Sequence, residues 1–309
     1  MKILNDISIP GRLKAVKNNT EIANIRKVMV KDGVALTKFL YWLDKNIGVR
    51  RVTELSAADK LLEFRLQQAD CTGPSFSTIT AYNEHGASAH YTPTSGSNAI
   101  LRPEGIFLID SGGQYLDGTT DITRTISLGK PNDQQKIDFT LVLKGCIDLA
   151  MARFPLGTRG QQLDILARKA LWDNGLNYGH GTGHGVGFFL NVHEGPYSIG
   201  TGAGTSLDLT LVPGVILSDE PAIYREGKYG IRTENLVLVE EDEKNEFGQF
   251  LKFETLSLCY IDKSLINRSM LSTSELEWLN TYHSAVFEKL SVFLTPDEKD
   301  WLKEKTEEI

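Results

Sequence analysis

The chain has 309 residues, of which 41% are hydrophobic and 9% aromatic, and its formal net charge is −7. This composition is ordinary for a globular enzyme, and the length is ample for a sizeable buried core. The mildly acidic balance does not favour nucleic-acid binding, which usually shows basic clusters, and no apolar run approaches the roughly 18 residues of a membrane span.

The first predicted elements are helices. Residues 1–17 form a basic lead-in that contains Pro10-Gly11 and is predicted as a loop or linker. Thr20 can cap a helix over residues 21–47, where apolar residues recur near helical spacing. A second helix is predicted over residues 56–69.

The rest of the chain alternates between strand-like and helix-like segments. Strands rich in Ile, Thr, Val and aromatic residues are predicted at residues 77–82, 105–110, 121–128, 214–220, 230–240 and 250–259. Helices are predicted at residues 133–153 and 160–174 and in the tail, and Gly-rich segments lie at residues 179–187 and 200–204. This order favours an α+β fold, in which helices pack on a mainly antiparallel sheet.

Two aspartates flank a Gly-rich return in the middle of the chain. Asp110 ends an apolar strand, and Asp121 opens the next strand-like run. A tight return could bring both carboxylates together, and carboxylate oxygens suit divalent metals. An aspartate at a turn also commonly caps backbone N–H groups, so this pair alone leaves both interpretations open.

Three histidines strengthen the case for a site. His180 and His184 lie in the Gly-rich segment 179–187, and His193 follows nine residues after His184. Glycine permits positive φ and close backbone approach, so this loop can present a histidine to a metal or substrate. One loop histidine is more often a surface or structural residue, but this group favours a functional role.

Two glutamates lie beside apolar strands. Glu220 follows the run 214–219, and Glu234 precedes the run 236–239. Such acidic residues are costly to bury unless they are paired or bound to metal; the alternatives are a surface strand end or, for Glu234, an ion pair with Arg232. Two divalent cations would balance the four carboxylates.

These residues resemble the ligand set of the pita-bread metallopeptidases, which include methionine aminopeptidase, prolidase and aminopeptidase P. The shared set is Asp110, Asp121, His184, Glu220 and Glu234. The motifs most similar to aminopeptidase P are residues 110–125, His90-Tyr91-x-Pro93, and residues 180–187, 191–196 and 219–221. The resemblance runs from about residue 15 to the C-terminus.

The resemblance implies the pita-bread (creatinase/aminopeptidase) fold, a curved, mainly antiparallel sheet covered by helices. We expect a lead-in over residues 1–17, a catalytic domain over residues 18–262 and a C-terminal helical extension over residues 263–309. Family members of this branch have two domains before the catalytic one. The chain is therefore expected to correspond to the catalytic C-terminal domain without them.

The resemblance also implies roles for the metal ligands. Asp110 and Asp121 are expected to bind one metal, and His184 and Glu220 the other. Asp121 and Glu234 would bridge the two ions, which would hold a hydroxide between them. Glu220 is expected to move protons as well.

Further residues are expected to contact the substrate or the ligands. His180 and His193 are candidate catalytic residues that would contact the substrate carbonyl and the oxyanion, and His90 would contact the substrate at or near its proline. Arg232 is expected to orient a ligand carboxylate. Tyr91 or a nearby aromatic residue would help to form a proline pocket.

The implied activity is hydrolysis of the bond between any N-terminal residue and a penultimate proline. The nearest alternative is a prolidase, which cleaves Xaa-Pro dipeptides, and a third possibility is a binding module that keeps the fold without hydrolysis. The resemblance implies two manganese ions, although the ligand set also suits cobalt, iron or zinc.

Four aromatic or imidazole side chains outside these motifs carry weaker expectations. His85 is predicted to face solvent in a loop. Trp172 is predicted to pack or to meet another subunit, and Trp278 and Trp301 to anchor the tail helices.

The expected cellular setting is the cytoplasm. Cys71, Cys146 and Cys259 lie far apart without a C-x-x-C pair, as is typical of a reducing compartment, and the first residues are too polar for a signal peptide. The expected partners are peptides with proline at the second position and a second copy of the chain in a homodimer, with no nucleic acid and no membrane.

Overall fold

The structure, a computed structural model, describes residues 8–200 and 209–309. Most of the second predicted Gly-rich segment, residues 201–204, lies outside those residues. Within residues 8–200 and 209–309, no helix is long and apolar enough to cross a membrane. The α-helices are α1 (Ile9–Ala15), α2 (Asn19–Asn46), α3 (Glu54–Leu66), α4 (Asp133–Ala150), α5 (Gly160–Trp172), α6 (Thr273–Leu290) and α7 (Pro296–Thr306).

Short antiparallel strands form several small sheets between the helices. The strands are β1 (Cys71–Pro74), β2 (Ile79–Tyr82), β3 (Ile106–Ser111), β4 (Gly113–Tyr115), β5 (Gly118–Thr119), β6 (Ile122–Ser127), β7 (Arg153–Pro155), β8 (Gly183–His184), β9 (Ser198–Ile199), β10 (Ile216–Asp219), β11 (Ala222–Arg225), β12 (Tyr229–Arg232), β13 (Asn235–Asn245) and β14 (Gly248–Thr255). Their orders are β1-β4-β5, β2-β3-β6, β8-β9, β11-β12 and β10-β13-β14-β7. The predicted α+β class is confirmed.

The N-terminal helices differ from the predictions in their starting points. Residues 9–15, predicted as loop, form α1, whose Pro10 occupies the first turn, where a missing N–H costs nothing. Asn18 rather than Thr20 caps α2, because its side chain accepts hydrogen bonds from the N–H groups of Thr20 and Glu21. Thr53 caps α3 in the same way, two residues earlier than predicted.

The predicted strand over residues 230–240 is divided into β12 and β13. The division falls at Thr233-Glu234, which lies outside both strands. Here the Glu234 N–H donates to the Thr123 carbonyl oxygen at 3.1 Å instead of continuing a ladder. The break therefore turns Glu234 towards β6.

The largest core joins the N-terminal helices, the β2-β3-β6 sheet, α4 and the tail helices. From the tail, Leu279, Leu290 and Leu302 are fully buried in it. Trp301 is buried as well and donates its Nε1–H to Asp44 at 3.2 Å, while Trp278 stacks on Tyr282. The predicted anchoring of the tail is confirmed, and the proposed boundary between residues 262 and 263 separates segments that share one core.

The packing of the tail predicts a cost for truncating Leu302. Leu302→Ala should lower the free energy of unfolding by about 2–5 kcal/mol, because it removes buried methyl groups and leaves a cavity. Leu116→Ala, at a position that is 59% exposed, should change it by less than about 0.5 kcal/mol. Urea unfolding of both variants measures the difference, and equal effects would contradict the buried tail.

Candidate metal centre

A tight hairpin brings Asp110 and Asp121 together. In the antiparallel register of β3 and β6, Asp110 lies opposite Thr123. Gly112 lies in the return, and a Cβ atom there would come within 1.9 Å of the Thr120 carbonyl oxygen. Because only glycine fits this close approach, the Gly-rich return predicted from the sequence is a steric requirement of the hairpin.

The histidine loop is attached to the strand that ends at Glu220. The N–H of His184 donates to Ser218 Oγ at 2.9 Å, and the N–H of Glu220 donates to the Thr182 carbonyl oxygen at 2.8 Å. Between them, a Cβ atom on Gly183 would lie 1.9 Å from the Ser218 carbonyl oxygen. The glycine therefore permits the close contact that sets His184 beside Glu220.

Glu234 is held against β6 through both its side chain and its backbone. Thr123 Oγ1 donates to Glu234 Oε2 at 2.6 Å, and Arg124 Nη1 donates to the Glu234 carbonyl oxygen at 2.6 Å. All three residues are buried. The segment that carries Glu234 is thereby joined to the hairpin that carries the two aspartates.

The five residues predicted as ligands surround one cavity of about 280 Å³. His184 Nε2 lies 3.4 Å from Asp121 Oδ2 and 3.6 Å from Glu220 Oε1. Three groups of potential ligand atoms each lie within 4.8 Å of one another. These groups are Asp110, Asp121 and Glu234; His184, Glu220 and Glu234; and Asp121, His184 and His193.

Burial makes the negative charge of these carboxylates expensive. It raises the pKa of Asp121 to about 6 and that of Glu220 to about 7, and the charge of Asp110 adds to both shifts. Burial, together with the neighbouring carboxylates, also raises the pKa of Glu234 well above its usual range. A cluster of this kind needs positive charge to remain ionised at neutral pH.

The orientation of two side chains fits bound cations. Asp110 Oδ2 accepts a hydrogen bond from Arg232 Nη2 at 2.5 Å, whereas the buried Asp110 Oδ1 has no partner within the described residues. His184 Nδ1 donates to the Gly185 carbonyl oxygen at 3.0 Å, which leaves Nε2 to face the carboxylates. Oxygen-rich sites with one imidazole suit divalent metals.

The imidazole of His184 shows the same charge balance. Burial lowers its pKa, but the hydrogen bond with Asp121 and the charges of Glu220 and Asp121 outweigh burial and raise the pKa to about 9. The carboxylates thus draw positive charge to Nε2. A divalent cation at this position would take over the role of that proton.

The three histidines predicted to contact substrate all line the cavity. His193 packs edge-on against His184, with 4.3 Å between ring centroids, and His90 is exposed. His180 Nδ1 donates to the Gly181 carbonyl oxygen, and its Nε2 accepts from Tyr224 Oη, both at 2.8 Å. A contact between His180 Nε2 and a substrate carbonyl would therefore require the Tyr224 bond to break.

Tyr224 and Phe76 line the cavity but were missed from the sequence. Tyr224 Oη bonds to His180 and also accepts from Arg232 Nη1 at 2.7 Å, so it connects the histidine loop to the residue that binds Asp110. In the sequence, the only indication that Tyr224 lies near the site is its position four residues after Glu220, in a strand. Phe76 lies in a segment with no motif.

One weaker expectation is wrong. His85 does not simply face solvent, because its Nδ1 donates to the buried Glu54 at 2.8 Å. For the proline pocket, Tyr91 or a nearby aromatic residue was expected. Tyr91 packs against Ile79, Ala81 and Leu108 and is not among the residues lining the cavity in the described ranges, whereas Phe76 lines it. Trp172 is 49% exposed, so its expected packing is only partial.

Comparison with known proteins identifies the family. The profile of metallopeptidase family M24 matches residues 23–241, and the profile of the C-terminal region of the same family matches residues 249–309. The chain belongs to metallopeptidase family M24. The predicted pita-bread fold is the fold of its solved M24 neighbours and is confirmed.

Several M24 relatives match nearly the whole chain. Proteins named probable Xaa-Pro aminopeptidase P are 45% identical in Aspergillus flavus and 46% identical in Fusarium vanettenii, and each match covers 97% of this chain. The matches cover 47% and 49% of those relatives, so the chain spans about half the length of the curated relatives it matches.

Solved M24 structures show the same relationship. An X-prolyl aminopeptidase from Caenorhabditis elegans, described as a cytosolic enzyme with a di-nuclear active site, matches at 41% identity and a TM-score of 0.92, over 98% of this chain and 50% of that one. A prolidase from Pyrococcus furiosus matches at 25% identity and a TM-score of 0.67, over 81% and 67% of the two chains.

If Asp121 is a metal ligand, Asp121→Asn should impair metal binding. The variant removes one negative charge from the centre of the cluster and should therefore retain less metal. A divalent ion at about 100 times its dissociation constant should stabilise the native chain by about 2.7 kcal/mol and the variant by much less. Elemental analysis and thermal unfolding with and without Mn²⁺ measure both effects.

Asp117→Asn is the matched control, because Asp117 lies in the same hairpin but pairs with Lys31 at 3.3 Å outside the cavity. It should keep the native metal content. Equal metal retention in the Asp117 and Asp121 variants would refute the assignment of Asp121.

Proposed function

We propose that this chain is the catalytic part of a metallo-aminopeptidase that hydrolyses the bond between an N-terminal residue and a penultimate proline. The observation that carries the proposal is the convergence of four carboxylates and one imidazole on a single cavity. The names of the relatives at 45–46% identity supply the substrate class. The di-nuclear site of the nematode neighbour supports two divalent ions here.

The residues of the cluster divide between two ion positions. Asp110, Asp121 and Glu234 would hold one ion, and His184 and Glu220 the other, with Asp121 and Glu234 placed to serve both. When bound, such ions lower the pKa of water and polarise a carbonyl group. Manganese is our choice of metal on the family resemblance; the ligand set, rich in oxygen with a single imidazole, suits it and also cobalt, iron or zinc.

The protein side chains then position the substrate and move the proton. Glu220 would accept a proton from the attacking water and return it to the leaving nitrogen. His193 would contact the substrate carbonyl or the oxyanion, and His180 would do so once its bond to Tyr224 is broken. His90 would contact the region of the proline. Arg232 keeps Asp110 oriented through the contact at 2.5 Å.

A prolidase is the second candidate, since solved prolidases share the fold at 25% identity. The higher identity to proteins named as aminopeptidases favours the first candidate. Gln114 and Tyr115, part of the motif that resembled aminopeptidase P, do not decide specificity by contact. Gln114 accepts a hydrogen bond from Thr119, and Tyr115 donates one to Asp32, so both stabilise the hairpin without lining the cavity.

A binding module without hydrolysis is the third candidate. Loss of catalysis would be expected to accompany loss of a ligand, whereas all five predicted ligands are present and converge. This favours an active centre. We also propose that the enzyme is cytoplasmic, because the nematode neighbour is described as cytosolic. We propose a homodimer on the family resemblance.

The choice of substrate predicts a simple preference. With manganese present, the chain should release the first residue of a Xaa-Pro-Xaa tripeptide faster than it cleaves the corresponding Xaa-Pro dipeptide. Amino-acid release measured by chromatography compares the two rates. Cleavage confined to the dipeptide would identify a prolidase, and metal binding without any cleavage would favour the binding module.

The proposed proton transfer predicts a large effect for Glu220→Ala. We expect a loss of at least about 100-fold in kcat/KM for the tripeptide, the size typical of removing a general acid–base group. Glu226→Ala, in the exposed turn after β11, should retain native activity. Metal content is measured in parallel because Glu220 is also a proposed ligand, and near-native turnover would refute its role.

A further inference from the structure

Glu54 is a fully buried carboxylate that the proposed reaction does not use. It is the first residue of α3, and none of its surface is exposed. It lies against the loop of residues 83–99, which follows β2. This loop carries Ala89 and His90, both of which line the cavity of the metal centre.

Each carboxylate oxygen of Glu54 accepts two hydrogen bonds. Oε1 accepts from the Tyr82 N–H and from His85 Nδ1, both at 2.8 Å. Oε2 accepts from Tyr91 Oη at 2.8 Å and from the Ala99 N–H at 2.9 Å. The four donors are the residue just before the loop, two residues within it and its last residue, so one side chain holds the loop at both ends and in the middle.

One of the contacts of Glu54 is made by the residue next to His90, which lines the cavity. Tyr91 is adjacent to His90, and its ring stacks on that of His85 with 4.6 Å between centroids. Tyr91 Oη is also 3.1 Å from Ser97 Oγ, whose hydroxyl can donate to it while the phenol proton goes to Glu54. The backbone of His90 is thus anchored one residue away by the bond to Glu54.

We propose that Glu54 is a positioning residue that holds the 83–99 loop so that His90 faces the substrate cavity. The inference rests on the proposed function, because it assigns His90 to substrate contact. A carboxylate suits this role, since four donors can share two charged acceptor oxygens. Glutamine keeps the size but only one acceptor oxygen, so Glu54→Gln would lose one pair of donors.

A double-mutant cycle tests whether Glu54 acts through His90. In tripeptide cleavage, Glu54→Gln should raise KM about tenfold, as expected for lost hydrogen bonds to a charged group, and leave kcat nearly unchanged. In a His90→Ala background, the same substitution should add less than about twofold. Additive effects of the two substitutions would overturn the proposal.

The control is Glu63→Gln, on the same helix with a side chain that is 56% exposed. It should leave KM unchanged in both backgrounds. If Glu54→Gln does not fold, Tyr91→Phe replaces it in the cycle, because this variant removes one donor and keeps both backbone bonds to Glu54. A rise in KM that disappears in the His90→Ala background would again support positioning.

Hydrogen exchange tests the inference without turnover. The amides of Tyr82 and Ala99 should exchange at least about tenfold faster in Glu54→Gln than in the native chain, while amides of the α4 core should not change. Unchanged protection of both amides would overturn the positioning role even in an active enzyme. Absence of tripeptide cleavage by the native chain would instead overturn the proposed function and leave the exchange result to decide the role of Glu54.

Discussion

The mutual repulsion of four carboxylates around one cavity, of which Asp110, Asp121 and Glu234 are buried and Glu220 is partly buried, is the constraint on which the arrangement of this molecule depends. Asp110 and Asp121 come from one hairpin and Glu220 and Glu234 from two later segments, and burial already makes a single negative charge costly. Hydrogen-bond donors and positive charge offset this repulsion. Arg232 donates to Asp110, Thr123 donates to Glu234, and the His184 imidazole lies between Asp121 and Glu220. Divalent cations would complete this balance, so the proposed metal binding and the local architecture would be parts of one electrostatic arrangement.

Helix α5, which precedes the histidine segment in the chain, supports that segment. On α5, Arg168 donates to the carbonyl oxygens of Tyr178 and His180 at 2.9 and 2.6 Å, and Asp164 accepts from Thr182. These bonds fix a Gly-rich backbone that has little intrinsic stiffness.

The lead-in before α2 supports the far side of the same region. Lys17 is buried and pairs with Glu194 at 2.9 Å, next to His193. It also donates to the Val186 carbonyl oxygen. Residues 9–17 therefore belong to the structural surroundings of the centre rather than to a detached linker.

The sequence alone was sufficient for the fold class, the metal-ligand candidates and the family resemblance. Glycines at close backbone contacts, and acidic residues beside apolar strands, leave patterns that can be read locally. It could not reveal the buried contacts of Glu54 and Tyr91 or the bridging role of Tyr224, and it misplaced His85. Those assignments depend on which distant segments meet, and hydrogen-bond partners separated by about 30 or more residues leave no periodic or compositional signal, so only the tertiary structure decided them.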